Sequence, residues 1–193
     1  MGIEFELKYS AAAEQLEEIA AAYPLDYRVF HMETTYFDTC DAALSDRHIT
    51  LRRRMENDVS VCTVKTPISG HGRGEWECNC QDIEVGIAEL CKLGAPKELL
   101  YWTAQGVSPV CGAKFHRRAG TLEFGGAVLE LALDQGILLG GGKQIPLCEV
   151  EVELKSGDTE IAVAFAAALA ERFDLKPQPK SKFRRALSLA KGD

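Results

Sequence analysis

The sequence lacks any apolar run long enough to cross a membrane. A spanning helix needs about 18 or more consecutive apolar residues, and no segment of the 193-residue chain approaches that length. The amino terminus, Met-Gly-Ile-Glu-Phe-Glu, also lacks the basic start and apolar core of a secretory signal. We therefore expect a cytoplasmic protein with no membrane partner. Its length suits one hydrophobic core, which predicts a single domain over residues 1–193.

Paired cysteine motifs are absent as well. The seven cysteines are odd in number and scattered, and Cys78-Asn79-Cys80 lacks the C-x-x-C spacing of redox and zinc sites. Because no secretion signal accompanies them, we expect reduced thiols, mostly buried in strands. The four histidines, at positions 31, 48, 71 and 116, show no ligand spacing and are predicted to be isolated surface or turn residues.

Basic residues are fewer than acidic residues. The chain has 22 Lys and Arg against 29 Asp and Glu, a net charge of −7, which repels nucleic acid over long range. The glycine-rich stretch 69–74 lacks the G-x-x-x-x-G-K-[ST] pattern of a P-loop and is predicted to be a hairpin turn. We expect no nucleic-acid partner, and any polyanion must bind at a local basic site.

What the sequence does contain is a set of segments that alternate apolar and charged residues with period two, as strands with two different faces do. Residues 2–9 place Glu4, Glu6 and Lys8 on one face, and residues 149–155 place Glu149, Glu151 and Glu153 on one face. Further charged faces hold Arg52 with Arg54, Thr63 with Lys65, Glu75 with Glu77, and Glu130 with Asp134.

Each charged face could be the solvated side of an antiparallel sheet. The strands are nevertheless strongly acidic or strongly basic rather than mixed, and like charges about 7 Å apart along a strand repel unless cations intervene. Closing the sheet would turn these faces inward around a tunnel, where acidic strands hold divalent cations and basic strands hold phosphates. We therefore predict an α+β fold, a closed eight-stranded antiparallel β-barrel with helices packed outside.

Helices are predicted in four places. Ser10 can cap a helix that runs to about Tyr23, where Pro24 ends it. Two short helices, about 82–93 and 96–105, form a helical insert between strands, and a C-terminal helix covers about 158–173.

The charged strands, in this order, carry a series of motifs that resembles the CYTH, or triphosphate tunnel, family. Glu4-Phe5-Glu6-Leu7-Lys8 resembles the ExExK signature of that family at the extreme amino terminus. The remaining blocks are Tyr36-Phe37-Asp38, Leu51-Arg52-Arg53-Arg54, Thr63-Val64-Lys65, Arg73-Gly74-Glu75-Trp76-Glu77, Lys114-Phe115-His116-Arg117, Glu130-Leu131-Ala132-Leu133-Asp134, Glu149-Val150-Glu151-Val152-Glu153 and Ser181-Lys182. The series covers nearly the whole chain and is most similar to bacterial inorganic triphosphatases.

The resemblance implies roles for individual residues. Glu4, Glu6, Glu149 and Glu151 would ligate one or two Mg²⁺ or Mn²⁺ ions, with Glu153 and Asp134 as further ligands. The phosphates would be held by six cations, Lys8, Arg52, Arg54, Lys65, Arg117 and Lys182, whose charge offsets that of the departing phosphate. Glu4, Glu6, Lys8, Arg52, Arg54 and Lys65 are the predicted catalytic set. Glu75 and Glu77 either share the site or neutralise neighbouring cations.

Metal-dependent hydrolysis of tripolyphosphate to pyrophosphate and phosphate is the predicted function. Thiamine triphosphatase, class IV adenylate cyclase and a non-catalytic polyphosphate- or nucleotide-binding module stay open as alternatives. Trp76 is predicted to face away from the tunnel, whereas Trp102 is a candidate residue at its mouth. We expect a monomer or homodimer. Glu151→Gln is predicted to abolish turnover with the fold intact or slightly stabilised, because it would relieve repulsion between carboxylates.

Overall fold

The computed structural model describes residues 2–67 and 73–192, with side chains from residue 5 onward. Most of the predicted glycine-rich turn, including His71, lies outside the described residues. Within them, the strands form one antiparallel sheet in the order β1-β6-β5-β4-β3-β7-β8-β9-β2-β10. The strands are β1 (Gly2–Glu4), β2 (Glu6–Ser10), β3 (Arg28–Asp38), β4 (Thr50–Glu56), β5 (Val59–Pro67), β6 (Arg73–Asn79), β7 (Ser108–Phe124), β8 (Ala127–Gly140), β9 (Lys143–Ser156) and β10 (Lys176–Pro177).

The N-terminal segment contributes to both ends of this order. Phe5 alone separates β1 from β2, yet β1 pairs with β6 whereas β2 pairs with β9. An antiparallel sheet with helices packed on it, as predicted, is confirmed. The predicted closed barrel of eight strands is not confirmed, because the described pairings give a linear order of ten strands.

Several strands are longer than the charge alternation predicted. β7, β8 and β9 extend beyond the predicted bounds at the ends where β8 and β9 meet in the Gly141-Gly142 turn, because apolar and charged residues do not alternate regularly there. Gly136 of β8 lies so close to β7 that an added Cβ would fall 2.1 Å from the Lys114 carbonyl oxygen. Glycine is therefore required for this pair of strands to stay in register.

The helices are α1 (Ala13–Ala22), α2 (Ile83–Lys92), α3 (Glu98–Trp102), α4 (Thr159–Arg172) and α5 (Lys182–Lys191), with a 3₁₀ turn at Ser45–Arg47. The predicted cap at Ser10 is wrong. Ser10 ends β2 and pairs with Lys176, so α1 starts three residues later, with the side chain of Gln15 accepting a 2.7 Å hydrogen bond from the Ala12 N–H. Capping carboxylates do start α2 and α4, at Asp82 and Asp158 respectively.

Helix α5 is the element that the sequence analysis left unassigned. The Ser181 hydroxyl accepts a 3.2 Å hydrogen bond from the Arg184 N–H and so caps the helix. Phe183 and Ala186, three residues apart, are both buried. Phe183, Ala186, Leu187 and Ala190 recur at helical spacing, so the sequence does carry an apolar stripe that indicates this helix.

The two faces of the sheet carry different apolar clusters. Helices α1 and α4 pack on β8 and β9 around residues such as Leu133 and Val150, and α2 and α3 pack on β4 to β6 around Cys62 and Trp76. α5 packs on the other face with Phe115 and further apolar residues of β7 and β8. This places α5 on the face that carries the predicted functional residues.

A buried carboxylate fixes the loop that follows β3. One oxygen of Asp38 accepts from the N–H groups of Thr39 (2.8 Å) and Leu44 (3.0 Å), and the other from the N–H and hydroxyl of Ser45. Four donors on one carboxylate satisfy it without a cation. The Tyr36-Phe37-Asp38 block therefore holds the loop leading to His48 against the end of the sheet.

All seven cysteines are free in the structure. Cys40 is exposed, whereas Cys62 and Cys91 are buried. Burial raises the pKa of the Cys62 thiol to about 12, so this thiol is an inert part of the apolar cluster under α2.

Candidate functional site

A cavity of about 140 Å³ lies on the face of the sheet covered by α5, and we call it the inner cavity. All six predicted phosphate-binding residues and two predicted metal ligands are in its lining. Its lining consists of Glu6, Lys8, Tyr36, Thr50, Arg52, Arg54, Lys65, Arg73, Arg117, Glu151, Ser181, Lys182 and Phe183. Charges far apart in the sequence therefore meet in one place.

One side of the inner cavity is the basic wall, formed by Arg52 and Arg54 of β4 and Lys65 of β5. Strand alternation puts Arg52 and Arg54 on one face, and the pairing of Thr50 with Lys65 brings the lysine to the same face. Arg54 is 7% exposed and donates from Nε to the Thr34 hydroxyl at 3.0 Å. Burial, and then the neighbouring Arg52, lower the pKa of Arg54 to about 10. Such crowding of cations favours an anion between them.

Glu75 and Glu77 neutralise part of this wall. Glu75 lies 3.2 Å from the Lys65 ammonium and 3.6 Å from the Arg52 guanidinium, and Glu77 lies 3.5 Å from Arg52. Neither carboxylate is among the residues that line the inner cavity. Of the two interpretations left open by the sequence, the structure favours neutralisation of neighbouring cations.

The inner cavity also meets the acidic cluster of Asp134, Glu149 and Glu151, of which Glu151 belongs to its lining. Asp134 on β8 pairs directly with Glu149 on β9, and Ala132 with Glu151, so strand register puts the three carboxylates on one face. Each offers an oxygen within 4.8 Å of the others, and all three are buried. Hard oxygen donors at this spacing are the ligands that Mg²⁺ and Mn²⁺ prefer.

Three cations compensate the acidic cluster. Lys182 reaches all of it, at 2.9 Å from Asp134, 2.7 Å from Glu151 and in contact with Glu149. Arg117 makes a two-pronged pair with Asp134, both bonds 2.7 Å long, and also contacts Glu151. Arg185 contacts Glu149. The cluster is therefore neutral when its carboxylates are ionised, so a divalent cation bound there must compete with these side chains.

The protonation of the cluster follows from these contacts. Burial alone would lower the pKa of Lys182, but Asp134, Glu151 and Glu149 outweigh it and raise that pKa. Burial favours protonation of Glu151, yet Lys182 and Arg117 hold its pKa well below the usual range. For Glu149 burial dominates and raises the pKa despite its contact with Lys182. The two neighbouring glutamates on β9 thus differ in how well their charge is compensated.

The remaining predicted ligands lie at the edge of this arrangement. Glu6 lines the inner cavity, and its side chain accepts a 2.7 Å bond from Lys8. Burial alone would lower the pKa of Lys8, but the contact with Glu6 outweighs burial, so the pKa of Lys8 is raised above its ordinary value. Glu4 belongs to β1, and its side chain lies outside the described part of the structure. Glu153 stays apart from the acidic cluster and pairs with Lys155 at 2.9 Å.

Some residues that shape the site were not among the predicted site residues. Tyr36 and Phe183 line the inner cavity with their rings 5.0 Å apart. Arg185 is one helical turn after Lys182, a spacing that would have indicated a second cation on the same helix face. Its helix, however, was not predicted, so this signal could not be used.

Three predictions about aromatic residues have clear outcomes. Trp76 does face away, buried in the apolar cluster under α2. Trp102 packs at the edge of that cluster beneath the guanidinium of Arg47 and lines neither the inner cavity nor the larger cavity next to it, so it is not a mouth residue. The prediction of isolated histidines is wrong for His31 and His116, which pair across β3 and β7 with ring centroids 4.5 Å apart.

None of the helices in the described residues combines the length and apolar composition needed to span a membrane.

Comparison with known proteins gives a consistent result. The family profile of the CYTH domain matches residues 2–187. An inorganic triphosphatase from Haemophilus influenzae is 29% identical over 195 residues, which cover 96% of this chain and 54% of that protein. The chain therefore spans about half the length of this curated relative.

Solved structures share the fold at lower sequence identity. A protein from Pyrococcus horikoshii superposes with a TM-score of 0.64 and 18% identity, over 96% of this chain and 99% of that one. A protein from Hippeastrum, assigned as an adenylyl cyclase and described with a dominant triphosphatase activity, superposes with a TM-score of 0.62 and 16% identity, over 98% and 96% of the two chains. These likenesses show the fold alone.

Proposed function

Because the chain belongs to the CYTH family, we propose that it is a metal-dependent enzyme that hydrolyses inorganic tripolyphosphate to pyrophosphate and phosphate. The observation that carries this proposal is the inner cavity, whose lining contains both the basic wall and Glu151, a member of a buried cluster of three carboxylates. A chain of phosphates with bound divalent cations needs both kinds of surface at once. The Haemophilus relative, named as an inorganic triphosphatase, supports the same activity.

The proposal includes closure of the sheet into a barrel by the N-terminal segment. Glu6 and Lys8 of β2 line the same cavity as Lys65 of β5 and Arg73 of β6, although β2 and these strands lie near opposite ends of the order. Such proximity requires a strongly curled sheet. If β1 and β2 count as one strand interrupted at Phe5, they and β3 to β9 make the eight strands of the proposed tunnel.

Proposed roles follow from position. The basic wall, together with Lys8, Arg117 and Lys182, binds the phosphate oxygens, and the planar guanidinium groups can make paired hydrogen bonds to them. Glu6 and the acidic cluster would hold Mg²⁺ or Mn²⁺, with Glu4 and Glu153 as further ligands. The metal would supply Lewis-acid charge stabilisation and a more acidic water.

The cationic side chains of the protein position the substrate and stabilise developing charge. Arg54, held rigidly by its bond to Thr34, fixes the position of an oxygen, and Arg52 and Lys65 offset the negative charge that develops on the leaving pyrophosphate. Because Lys182 and Arg117 are bound to carboxylates in this structure, substrate phosphates would compete with the acidic cluster for them. Phosphate binding to Lys182 and Arg117 would therefore free carboxylates of the acidic cluster to bind the metal.

The same geometry accommodates the alternative activities, and substrate choice distinguishes them. The substrates of a thiamine triphosphatase or a class IV adenylate cyclase carry an aromatic group attached to the triphosphate. A binding module would hydrolyse none of these substrates. We propose a cytoplasmic enzyme that acts on a small-molecule triphosphate as a monomer or homodimer.

A phosphate-release panel tests the proposal, with tripolyphosphate, pyrophosphate, ATP and thiamine triphosphate assayed in Mg²⁺ and in Mn²⁺. We expect kcat/KM for tripolyphosphate to exceed that for pyrophosphate by about tenfold or more, because a diphosphate loses at least one set of charge-assisted hydrogen bonds. Glu151→Gln should abolish turnover, whereas Glu123→Gln, at an exposed position of β7, should not. Preference for ATP or thiamine triphosphate, or no turnover with either metal, would contradict the assignment.

A further inference from the structure

Two histidines meet on the outer surface of the sheet, and the proposed function uses neither of them. His31 on β3 and His116 on β7 lie directly opposite each other, with ring centroids 4.5 Å apart and ring planes at 82°. Tyr36 and Arg117 of the same strands line the inner cavity, so side-chain alternation points both histidines to the other face. Both histidines are exposed. The pair is therefore separated from the proposed triphosphate site by the sheet itself.

The spacing of the two rings suits chelation of one metal ion. An ion bound to a histidine nitrogen at about 2.0–2.1 Å lies about 3.2 Å from the centroid of the imidazole ring. Two imidazoles in adjacent positions of a square-planar or octahedral ion, about 90° apart, therefore have centroids about 4.5 Å apart, whereas tetrahedral ligands have them about 5.2 Å apart. The observed separation is 4.5 Å. Because each imidazole carries two nitrogens, rotation about the side-chain bonds is sufficient to turn one of each toward a shared ion.

Charged side chains flank the pair on both sides, and they balance each other. Lys114 and Glu33 are strand partners on the same outer face and lie 2.6 Å apart. Both side chains are more than half exposed, at 52% and 58%, and exposed ion pairs are weak. Glu33 is two residues from His31, so its carboxylate can leave the lysine and act as a third ligand. On the other flank Arg118 pairs with Glu17 at 2.8 Å, so neither flank adds net positive charge.

The ligand chemistry of the pair differs from that of the acidic cluster. Carboxylate oxygens favour Mg²⁺ and Mn²⁺, whereas imidazole nitrogens suit Ni²⁺, Cu²⁺ and Zn²⁺, with Cu²⁺ bound most tightly in the usual order. Adjacent ligands about 90° apart favour the square-planar and tetragonal geometry of Cu²⁺ and Ni²⁺ over the tetrahedral geometry of Zn²⁺. The groove that both histidines and Glu33 line has a volume of about 360 Å³, which leaves space for water molecules as further ligands.

We propose that His31 and His116 chelate a late transition-metal dication, Cu²⁺ most tightly, on the outer surface of β3 and β7, with Glu33 as a third ligand. The bound ion cross-links two neighbouring strands. This site is independent of the proposed triphosphate function, because its ligands lie on the opposite face of the sheet and belong to a different ligand class.

The test is titration calorimetry of Ni²⁺ into the full chain without an affinity tag, in a large excess of Mg²⁺. Ni²⁺ is the probe because it binds imidazole in the same geometry as Cu²⁺. We expect one ion per chain. His31→Gln and His116→Gln should each weaken binding by about tenfold or more, because one imidazole cannot chelate. The double variant should be within about threefold of either single variant, since the second imidazole has no partner once the first is lost.

Two further variants test the third ligand. Lys114→Gln should tighten Ni²⁺ binding by about threefold, because it frees Glu33 and removes a neighbouring cation. Glu33→Gln should weaken binding. The matched control for the lysine is Lys97→Gln, which removes an exposed lysine that does not line the groove and should leave the affinity unchanged.

The remaining controls locate the bound ion. His48→Gln removes a histidine whose ring nitrogen Nδ1 contacts Arg184, and Glu151→Gln removes a carboxylate of the acidic cluster. Neither variant should change Ni²⁺ binding. No binding by the wild type, wild-type affinity in His31→Gln or His116→Gln, or additive losses in the double variant would overturn the proposal. Loss of binding in Glu151→Gln would assign the ion to the acidic cluster and overturn it as well.

Discussion

The basic wall and, through Glu151, the acidic cluster both meet the inner cavity, but their charges are balanced in different ways. In the cluster, Lys182 alone contacts three carboxylates, and the pairs are short and buried. On the wall, the contacts from Arg52 and Lys65 to Glu75 are 3.2–3.6 Å long, and Arg54 is crowded by other cations. The described ion pairs of the cluster are therefore short and buried, whereas those of the wall, including Arg54 with Glu56 at 3.6 Å, are longer.

Lys182→Met is expected to have the largest effect, because it leaves three buried carboxylates short of a cation. Removing one partner from a buried ion pair costs about 3–5 kcal/mol. We expect a loss of that size in the free energy of unfolding, measured by urea denaturation in EDTA. Mg²⁺ or Mn²⁺ should restore part of it by taking the place of the ammonium group. The same substitution at Lys97 is the control, and wild-type stability of Lys182→Met would show that the cluster is not held by its cations.

Glu151→Gln and Glu149→Gln test whether charges inside the cluster are compensated equally. Glu151 has a pKa held low by Lys182 and Arg117, so its replacement should lower the free energy of unfolding by about 2 kcal/mol at pH 8. This reverses the expectation from sequence that Glu151→Gln is neutral or stabilising. Glu149 has a raised pKa, so Glu149→Gln should cost less. Equal costs in parallel urea titrations would refute the distinction.

Arg54→Met tests the opposite property on the basic wall. Its charge is disfavoured by burial and by Arg52, so the variant should be more stable by about 1 kcal/mol while losing turnover. Arg53→Met is a matched control, because Arg53 is on the same strand but donates to the Gln81 carbonyl. The measurements are the urea midpoint and the rate of phosphate release of both variants. A destabilised Arg54→Met would mean that the wall is not under electrostatic strain.

The smallest effect is expected from Glu75→Gln. Glu75 orients Lys65 and Arg52 from outside the inner cavity, through contacts that are partly solvated. We expect KM for tripolyphosphate to change by about threefold with kcat nearly constant, because partly exposed ion pairs contribute little. Glu123→Gln should change neither constant. A large fall in kcat would instead place Glu75 at the reacting groups.

Period-two alternation was a reliable guide wherever one face of a strand carried charge. It placed Glu6, Arg52, Arg54 and Glu151 on faces that the structure brings into one cavity. It failed at the ends of β7 to β9, where apolar and charged residues do not alternate regularly. It also could not show that His31 and His116 meet, because their contact depends on the register of two strands 85 residues apart.

The sequence by itself determined which strands are acidic and which are basic, because side-chain direction in a strand follows from chain geometry alone. It also determined the family, through motifs spread over nearly the whole chain. Only the tertiary structure decided which charges compensate each other. Lys182 and Arg185 come from a helix that was not predicted although its apolar residues recur at helical spacing, and that helix packs on β7 and β8. Pairing across the sheet is set by register and packing, so the meeting of the acidic cluster and the basic wall at one cavity exists only in the folded chain.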